Sequence, residues 1–391
     1  MKMLSDMKRK KAIISSIILM LLCMVLLLLP GFSSGSSHGA ERVKAKVISI
    51  DNNSLYSTGL IRQGDQYCEL EIAQGQSRGQ IVRGHNKLLG KMEMDKIFEV
   101  GDKALIVLDR DISGEYIQPV TIVDHYRLDV EMLLFAGFVL LLVLFAGITG
   151  FNALLSFVVT VLAVWKVLIP GLLQGIDPIL LSFAMTVGLT IMIIYAVGGF
   201  TRKATAAVLG SLAGTLLTTV LALLFGSVFK IHGAIMPFSE NLLYSGYAHL
   251  DLTKIFIACI FLASSGALMD LAMDISSAVE EVISKKPDIS RWEATRSGFA
   301  VGRSVIGTMT TTLLLAYSGG YLSLLMVFAA QGTPIINILN LKYVSSEIMH
   351  TLIGSIGLVT VAPFTALMSG LLMVGGKVKV PAISDVVTLE Q

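Results

Sequence analysis

Eight apolar stretches run along the chain, and one long polar segment separates the first from the rest. The first covers residues 12–29 and stops at Pro30; the others cover 132–149, 151–169, 178–197, 204–229, 255–273, 304–330 and 351–374. Breakers punctuate them at Gly147-Ile148-Thr149-Gly150, Pro170-Gly171, Gly198-Gly199 and Gly375-Gly376. Each stretch is about 18–27 residues long, and a ~30 Å hydrocarbon core takes ~20 residues of α-helix to cross. The pattern predicts an α-helical polytopic membrane protein with about eight transmembrane helices. Residues 304–339 form the awkward case, because one straight helix over them would reach ~54 Å at 1.5 Å per residue. Breaks at Ser318-Gly319-Gly320 and Gln331-Gly332-Thr333-Pro334 favour one span followed by a short re-entrant or interfacial piece.

Residues 31–131 change period. Beyond a Ser/Gly spacer over 33–40, Arg42-Val43-Lys44-Ala45-Lys46-Val47-Ile48-Ser49-Ile50 alternates at period two, as does Tyr67-Cys68-Glu69-Leu70-Glu71-Ile72. Further strands are expected over 104–108 and 118–123, with turns at Asp51-Asn52-Asn53, Gly75, Gly101-Asp102 and Ser113-Gly114. About five short strands in so short a segment predict a small β-barrel of OB-like or SH3-like form. Two roles are open to it: a rigid cap on the helices, or a module that reads a ligand or docks a partner. Aromatic residues are few there (Tyr56, Tyr67, Phe98, Tyr116, Tyr126), which speaks against a stacking surface.

Composition narrows the class. Of 391 residues, 54 % are hydrophobic and 15 % charged, with a mean hydropathy of +0.76, whereas soluble domains carry about 25 % charged residues. A water-soluble fold, a disordered or collagenous chain and a nucleic-acid-binding domain are disfavoured. The three cysteines are Cys23, Cys68 and Cys259; Cys68 stands alone in the polar insert, so no disulfide framework is expected.

The net charge of +2 says less than its placement. With a cytoplasmic N-terminus, short cytoplasmic segments hold fourteen Lys and Arg, against four opposite at Lys166, Lys230, Lys254 and Lys342. The positive-inside rule then puts both termini in the cytoplasm. The basic run Lys8-Arg9-Lys10-Lys11 before the first apolar stretch reads as a signal peptide or an uncleaved signal anchor; Gly31-Phe32-Ser33-Ser34-Gly35 offers small residues but no clear A-x-A site, which favours the anchor over 1–30. An extracytoplasmic β-rich domain follows over 31–131. A helical membrane domain covers 132–376, with a cytoplasmic elbow over 275–303, and a cytoplasmic tail covers 377–391.

Polar groups inside apolar stretches are where chemistry is expected, because an ionisable group at membrane depth is costly and usually has a task. Asp270 and Asp274 stand at i, i+4 and share one helical face, just beyond Ser264-Ser265-Gly266-Ala267. Two carboxylates with hydroxyls can hold a cation or relay a proton; the plain alternative is a helix end at the interface. Gly298 and Gly302 form a GxxxG packing face, followed by Arg303, Thr308, Thr311 and Thr312, which suit close packing or a polar pathway. Arg303 is expected to pair with Asp270 or Asp274. Ser277-Ala278-Val279-Glu280 and Ser290-Arg291-Trp292-Glu293 read as two capping boxes, each starting a helix of the elbow.

Enzymatic signatures are missing: no H-E-x-x-H, no Walker A loop, and His38, His85, His125, His232, His249 and His350 lack metal-ligand spacing. No catalytic residue, cofactor or metal is expected. Three functions compete: a permease for a small solute or ion, a membrane subunit gripped at 277–303 by a cytoplasmic partner, and a structural or sensory protein. The partners expected are the lipid bilayer and a second copy or paralogue.

The chain resembles the bacterial YibE/F family of multi-spanning membrane proteins. The resemblance lies in Lys166-Val167-Leu168-Ile169-Pro170, Gly199-Phe200-Thr201-Arg202-Lys203, the segment Ala267-Leu268-Met269-Asp270-Leu271-Ala272-Met273-Asp274, Gly307-Thr308-Met309 through Tyr317, and Glu347 through Leu352-Ile353-Gly354-Ser355-Ile356-Gly357-Leu358. The family pattern carries an Asp after the Gly-Arg pair and an Asn in the Thr-Met-x-x-Thr stretch, where this chain has Ser304 and Thr311. The resemblance implies a bacterial cytoplasmic-membrane location and names no substrate.

Overall fold

Alternating side chains close the polar insert into a barrel. A computed structural model describes residues 2–30, 40–75, 77–109 and 116–374. The expected spacer over 33–39, the turn at Ser113-Gly114, the break at Gly375-Gly376 and the tail with Lys377 and Lys379 lie outside the described residues. Strands β1 (Glu41–Thr58), β2 (Ile61–Ile72), β3 (Ile81–Leu89), β4 (Lys103–Leu108) and β5 (Val120–His125) form a closed barrel in the order β1-β2-β3-β5-β4. Of the two forms open to the sequence, this is the OB-like one, closed by a parallel β3–β5 pairing of Gly84 with Val120 and His85 with Thr121. Val43, Ala45 and Val47 of β1 point inward with Cys68, Leu70, Ile72, Phe98 and Ile106, which is the period-two pattern made physical. The strand over 81–89 escaped the sequence reading because Gly84 and His85 interrupt its alternation. Gly84 faces the core, where a side chain would run into Leu70 and Ile122.

The helices are α1 (Lys2–Leu28), α2 (Leu128–Ala163), α3 (Ile169–Leu173), α4 (Pro178–Gly198), α5 (Arg202–Val228), α6 (Ser239–Tyr244), α7 (Leu252–Lys285), α8 (Arg291–Ser318), α9 (Leu322–Ala330), α10 (Ile335–Asn340) and α11 (Lys342–Met373). A five-residue π turn, Val164–Leu168, joins α2 to α3. The chain divides into two units: Phe32–Leu141 with the barrel, and Met1–Gly31 with Leu142–Gln391. Among the described residues, six helices are long and apolar enough to cross a membrane, which makes this a multi-pass membrane protein.

The count of six against the expected eight has local causes. The apolar part of α1, Ile13–Leu28, is short of a full span. The stretches 132–149 and 151–169 join into one helical run of 46 residues, Leu128–Leu173, about 69 Å if straight. It is not straight: Gly147 has φ 57° and ψ −130°, a conformation only glycine adopts without strain. The predicted break is therefore present, but helical hydrogen bonding resumes directly beyond it.

The elbow also differs. Ser277 starts no helix; α7 passes through it for 34 residues to Lys285. The reason is packing, since Leu268, Leu271, Ala272, Ile275, Val279 and Ile283 form one continuous buried stripe with no Gly or Pro to interrupt it. The second box holds: the Ser290 hydroxyl accepts from the Glu293 amide and the Glu293 carboxylate accepts from the Ser290 amide. Helix α8 thus starts at Arg291, well before Ser304, and the Gly319-Gly320 break appears as a 3-10 turn leading into the short α9 and α10.

Candidate functional site

Helix α11 is the buried spine of the bundle. It is flanked by α5, α7 and α8, and glycines let the backbones approach closely. A Cβ on Gly210 of α5 would stand 2.8 Å from the Thr365 Cα of α11, and one on Gly370 would stand 2.8 Å from the Arg291 carbonyl of α8. Gly357 lies against the Thr218 hydroxyl, Gly298 against Ala366 and Gly302 against Ala362. Helix pairs in lipid gain from such small-residue contacts because dispersion and hydrogen bonding, rather than water exclusion, hold them together.

Hydroxyls line the same contacts. Ser211 of α5 donates to the Leu268 carbonyl of α7 at 3.3 Å, and Thr218 donates back to Gly214 at 2.9 Å. Thr215, Thr365 and Ser369 are buried with no hydrogen-bond partner among the described residues. A hydroxyl kept from water without a partner costs roughly 1–3 kcal/mol, so a set of them on α5 and α11 is not neutral filler.

At the N-terminal end of α11 the seam meets ionisable groups. Tyr317 of α8 stacks on His350 of α11 with ring centroids 4.3 Å apart and planes inclined by 27°. Tyr317 Oη, His350 Nε2 and, one turn earlier, Glu347 Oε1 are shut off from the surface, each without a partner among the described residues. An apolar cavity of about 190 Å³ adjoins Glu347, its other polar lining residues being Tyr321, Ser318 and Thr351. A Cβ on Gly354 would stand 3.3 Å from Ser264 Cβ and 3.9 Å from Tyr317 Oη, so Ser264 links the cluster to α7.

The residues singled out in the sequence divide into two groups. Ser264 and Ser265 are buried and donate to their own helix at Phe261 and Leu262, and Gly298 and Gly302 sit at the α11 interface. Asp270, Asp274, Arg303, Thr308, Thr311 and Thr312 are exposed. The three threonine hydroxyls bond back to Val305, Gly307 and Thr308, and no ion pair joins Arg303 to Asp270 or Asp274 among the described residues. These six face away from the bundle core.

Tyr317, Glu347 and His350 were missed. The apolar pattern puts the start of the last span at residue 351, with Glu347 and His350 before it, whereas α11 begins at Lys342. The usable signal was the absence of any breaker between Lys342 and Thr351, with Glu347 and His350 at i, i+3.

No curated protein and no solved structure matches the chain. The sequence model described as YibE/F-like protein matches residues 134–375. That stretch takes in the α11 spine, the Tyr317–His350 stack and the polar face of α8, and with it the chain belongs to the YibE/F-like family.

Proposed function

We propose that this protein is a proton-linked permease of the bacterial cytoplasmic membrane, moving a small solute or ion along the seam beside α11. The observation that carries the reading is the cluster of Tyr317, Glu347 and His350, three titratable groups with buried, unpartnered polar atoms among the described residues, of which Glu347 lines a cavity. Ionisable groups at membrane depth are retained where a proton or ion passes. Two further features support it. Pro363 lies inside α11, removing one backbone hydrogen bond and giving the spine a flexing point. Hydroxyls continue from the cluster down the same helix. The Lys and Arg distribution supports cytoplasmic termini and a barrel on the outer side.

The test uses the full chain in proteoliposomes with an entrapped pH-sensitive dye and imposed gradients of H+, Na+ and K+. Wild-type protein dissipates the proton gradient in a cation-dependent way, and Glu347→Gln lowers the rate at least about tenfold while Glu347→Asp keeps part of it. A wild-type response no greater than that of empty liposomes under every gradient overturns the reading.

A second reading rests on the exposed face of α8. Arg303, Ser304, Thr308, Thr311 and Thr312 make a polar stripe on a helix with little of its apolar window buried, and lipid is a poor neighbour for it. A second copy or a paralogue that covers this stripe would make the protein a membrane subunit; its native mass distinguishes the two.

A further inference from the structure

The turn between α4 and α5 opens a second cleft, of about 290 Å³, far more polar than the first. Its chemistry comes from Ser15 of α1, Asn152 of α2, Gly199, Thr201 and Lys203 at the turn, and Glu280 of α7. Lys203 Nζ and a Glu280 carboxylate oxygen are 2.9 Å apart, which puts one full charge of each sign on the wall. The backbone repeats this arrangement in partial charges. Helix α4 ends at Gly198, and Gly199 turns the chain with φ 67°. Helix α5 then starts at Arg202, capped by the Thr201 hydroxyl. The carbonyl end of one spanning helix and the amide end of the next therefore open into one cleft, negative beside positive.

One group in the wall is unaccounted for. Ser15 is only 4 % exposed, and its hydroxyl has no hydrogen-bond partner among the described residues. Its neighbour Ser16 donates to Asn152 Oδ1, and Asn152 Nδ2 reaches the Ala196 carbonyl at 3.5 Å. Asn152 is thus held by Ser16 and the Ala196 carbonyl, and the Ser15 hydroxyl is left for a ligand.

We propose that this cleft binds a small zwitterion, an ammonium group joined by a short linker to a phosphate or carboxylate. Lys203 and the first turn of α5 take the anionic oxygens. Glu280 and the last carbonyls of α4 take the ammonium. Ser15 donates to the anion from within the cleft. A simple anion would be repelled by Glu280 and a simple cation by Lys203, so both charges are required. The chemistry fits a phosphoethanolamine lipid headgroup, because helix ends lie at headgroup depth, and it equally fits a soluble zwitterion.

The experiment titrates the detergent-purified full chain by calorimetry with phosphoethanolamine, inorganic phosphate and ethanolamine. In parallel, native mass spectrometry follows the protein in nanodiscs of phosphatidylethanolamine or phosphatidylglycerol. Saturable binding of phosphoethanolamine, with neither half binding alone, identifies a soluble zwitterion. Retention of phosphatidylethanolamine over phosphatidylglycerol without that binding identifies the lipid. In either arm Lys203→Gln and Glu280→Gln each weaken the preference about tenfold or more, and Ser15→Ala weakens it by a smaller factor, with melting temperatures near that of wild type. If Lys203→Gln and Glu280→Gln lower the melting temperature, Ser15→Ala decides the case. The proposal is overturned if neither arm binds, if phosphate binds as tightly as phosphoethanolamine, or if well-folded variants bind unchanged. None of these readouts involves Glu347, so this test fails or succeeds independently of proton-linked transport.

Discussion

The barrel and the helical bundle treat buried polar groups in opposite ways. In the barrel, Gln66 is fully buried and uses both ends of its amide: Nε2 donates to Asn52 Oδ1 at 2.9 Å and to the Phe98 carbonyl at 3.0 Å, while Oε1 accepts from Asn86 Nδ2 and the Phe98 amide, each at 3.0 Å. Among its described residues only Asn86 Oδ1 is buried without a partner. The helical unit holds eight such atoms, on Ser15, Thr190, Thr215, Tyr317, Glu347, His350, Thr365 and Ser369. Apart from that one oxygen, the barrel's polar core satisfies itself and pins the loop at Phe98. The bundle's polar core is incomplete, and an incomplete set of donors and acceptors is what a passing or bound ligand needs.

The largest effect that tests this contrast is expected in the barrel core. Phe98 is fully buried there, and Phe98→Ala should cost ~3–5 kcal/mol. Cys68 reports on it: burial pushes its thiol up to about 11, so at pH 8 it is protonated and shielded. Mass spectrometry after maleimide treatment of the intact protein should find Cys68 unlabelled in wild type and labelled in the variant, with hydrogen exchange across α7 and α11 unchanged. Loss of protection in both units together would show that the two cores are not independent.

Gln66→Leu is expected to come next, at ~1–3 kcal/mol, because it orphans the Phe98 amide and carbonyl together and leaves Asn86 Nδ2 with the Lys96 carbonyl alone. Chemical denaturation followed at the barrel measures it. A smaller effect lies at Asp124, whose carboxyl is held below the usual range by the Arg127 guanidinium 3.1 Å away. Since the folded state favours the ionised form, this contribution is present above about pH 4 and is lost as pH falls through the lower folded value. Barrel melting between pH 6 and pH 3 should therefore decline less steeply in Arg127→Gln. The smallest effect is the most diagnostic one. Ser369→Ala in the bundle removes a hydroxyl that satisfies nothing and should change stability by less than about 0.5 kcal/mol or raise it. A cost matching that of Gln66→Leu would mean that the seam is structural after all.

The architecture was largely legible in advance, and the sites were legible only in part. Apolar runs of spanning length and a period-two insert are properties of consecutive residues, so the helical class, the small barrel and the Ser290–Glu293 capping box could be read directly. Asp270, Asp274, Arg303 and Thr308 drew attention because polar groups in an apolar context are conspicuous, yet a helix has two faces and the sequence does not say which one is buried. Glu347 and His350 were overlooked because a charged residue near the end of an apolar run reads as its boundary.

Chain order alone determined that long apolar helices suited to a membrane form and that the insert closes into a small barrel, because these depend on side-chain period and backbone propensity over a few turns. Tertiary structure decided that α11 is the spine, that Tyr317 stacks on His350 across more than thirty intervening residues, and that α1, α2, α5 and α7 share a polar cleft. Those outcomes depend on how closely helices can approach, and contacts such as Gly210 against Thr365 exist only once two distant segments have packed.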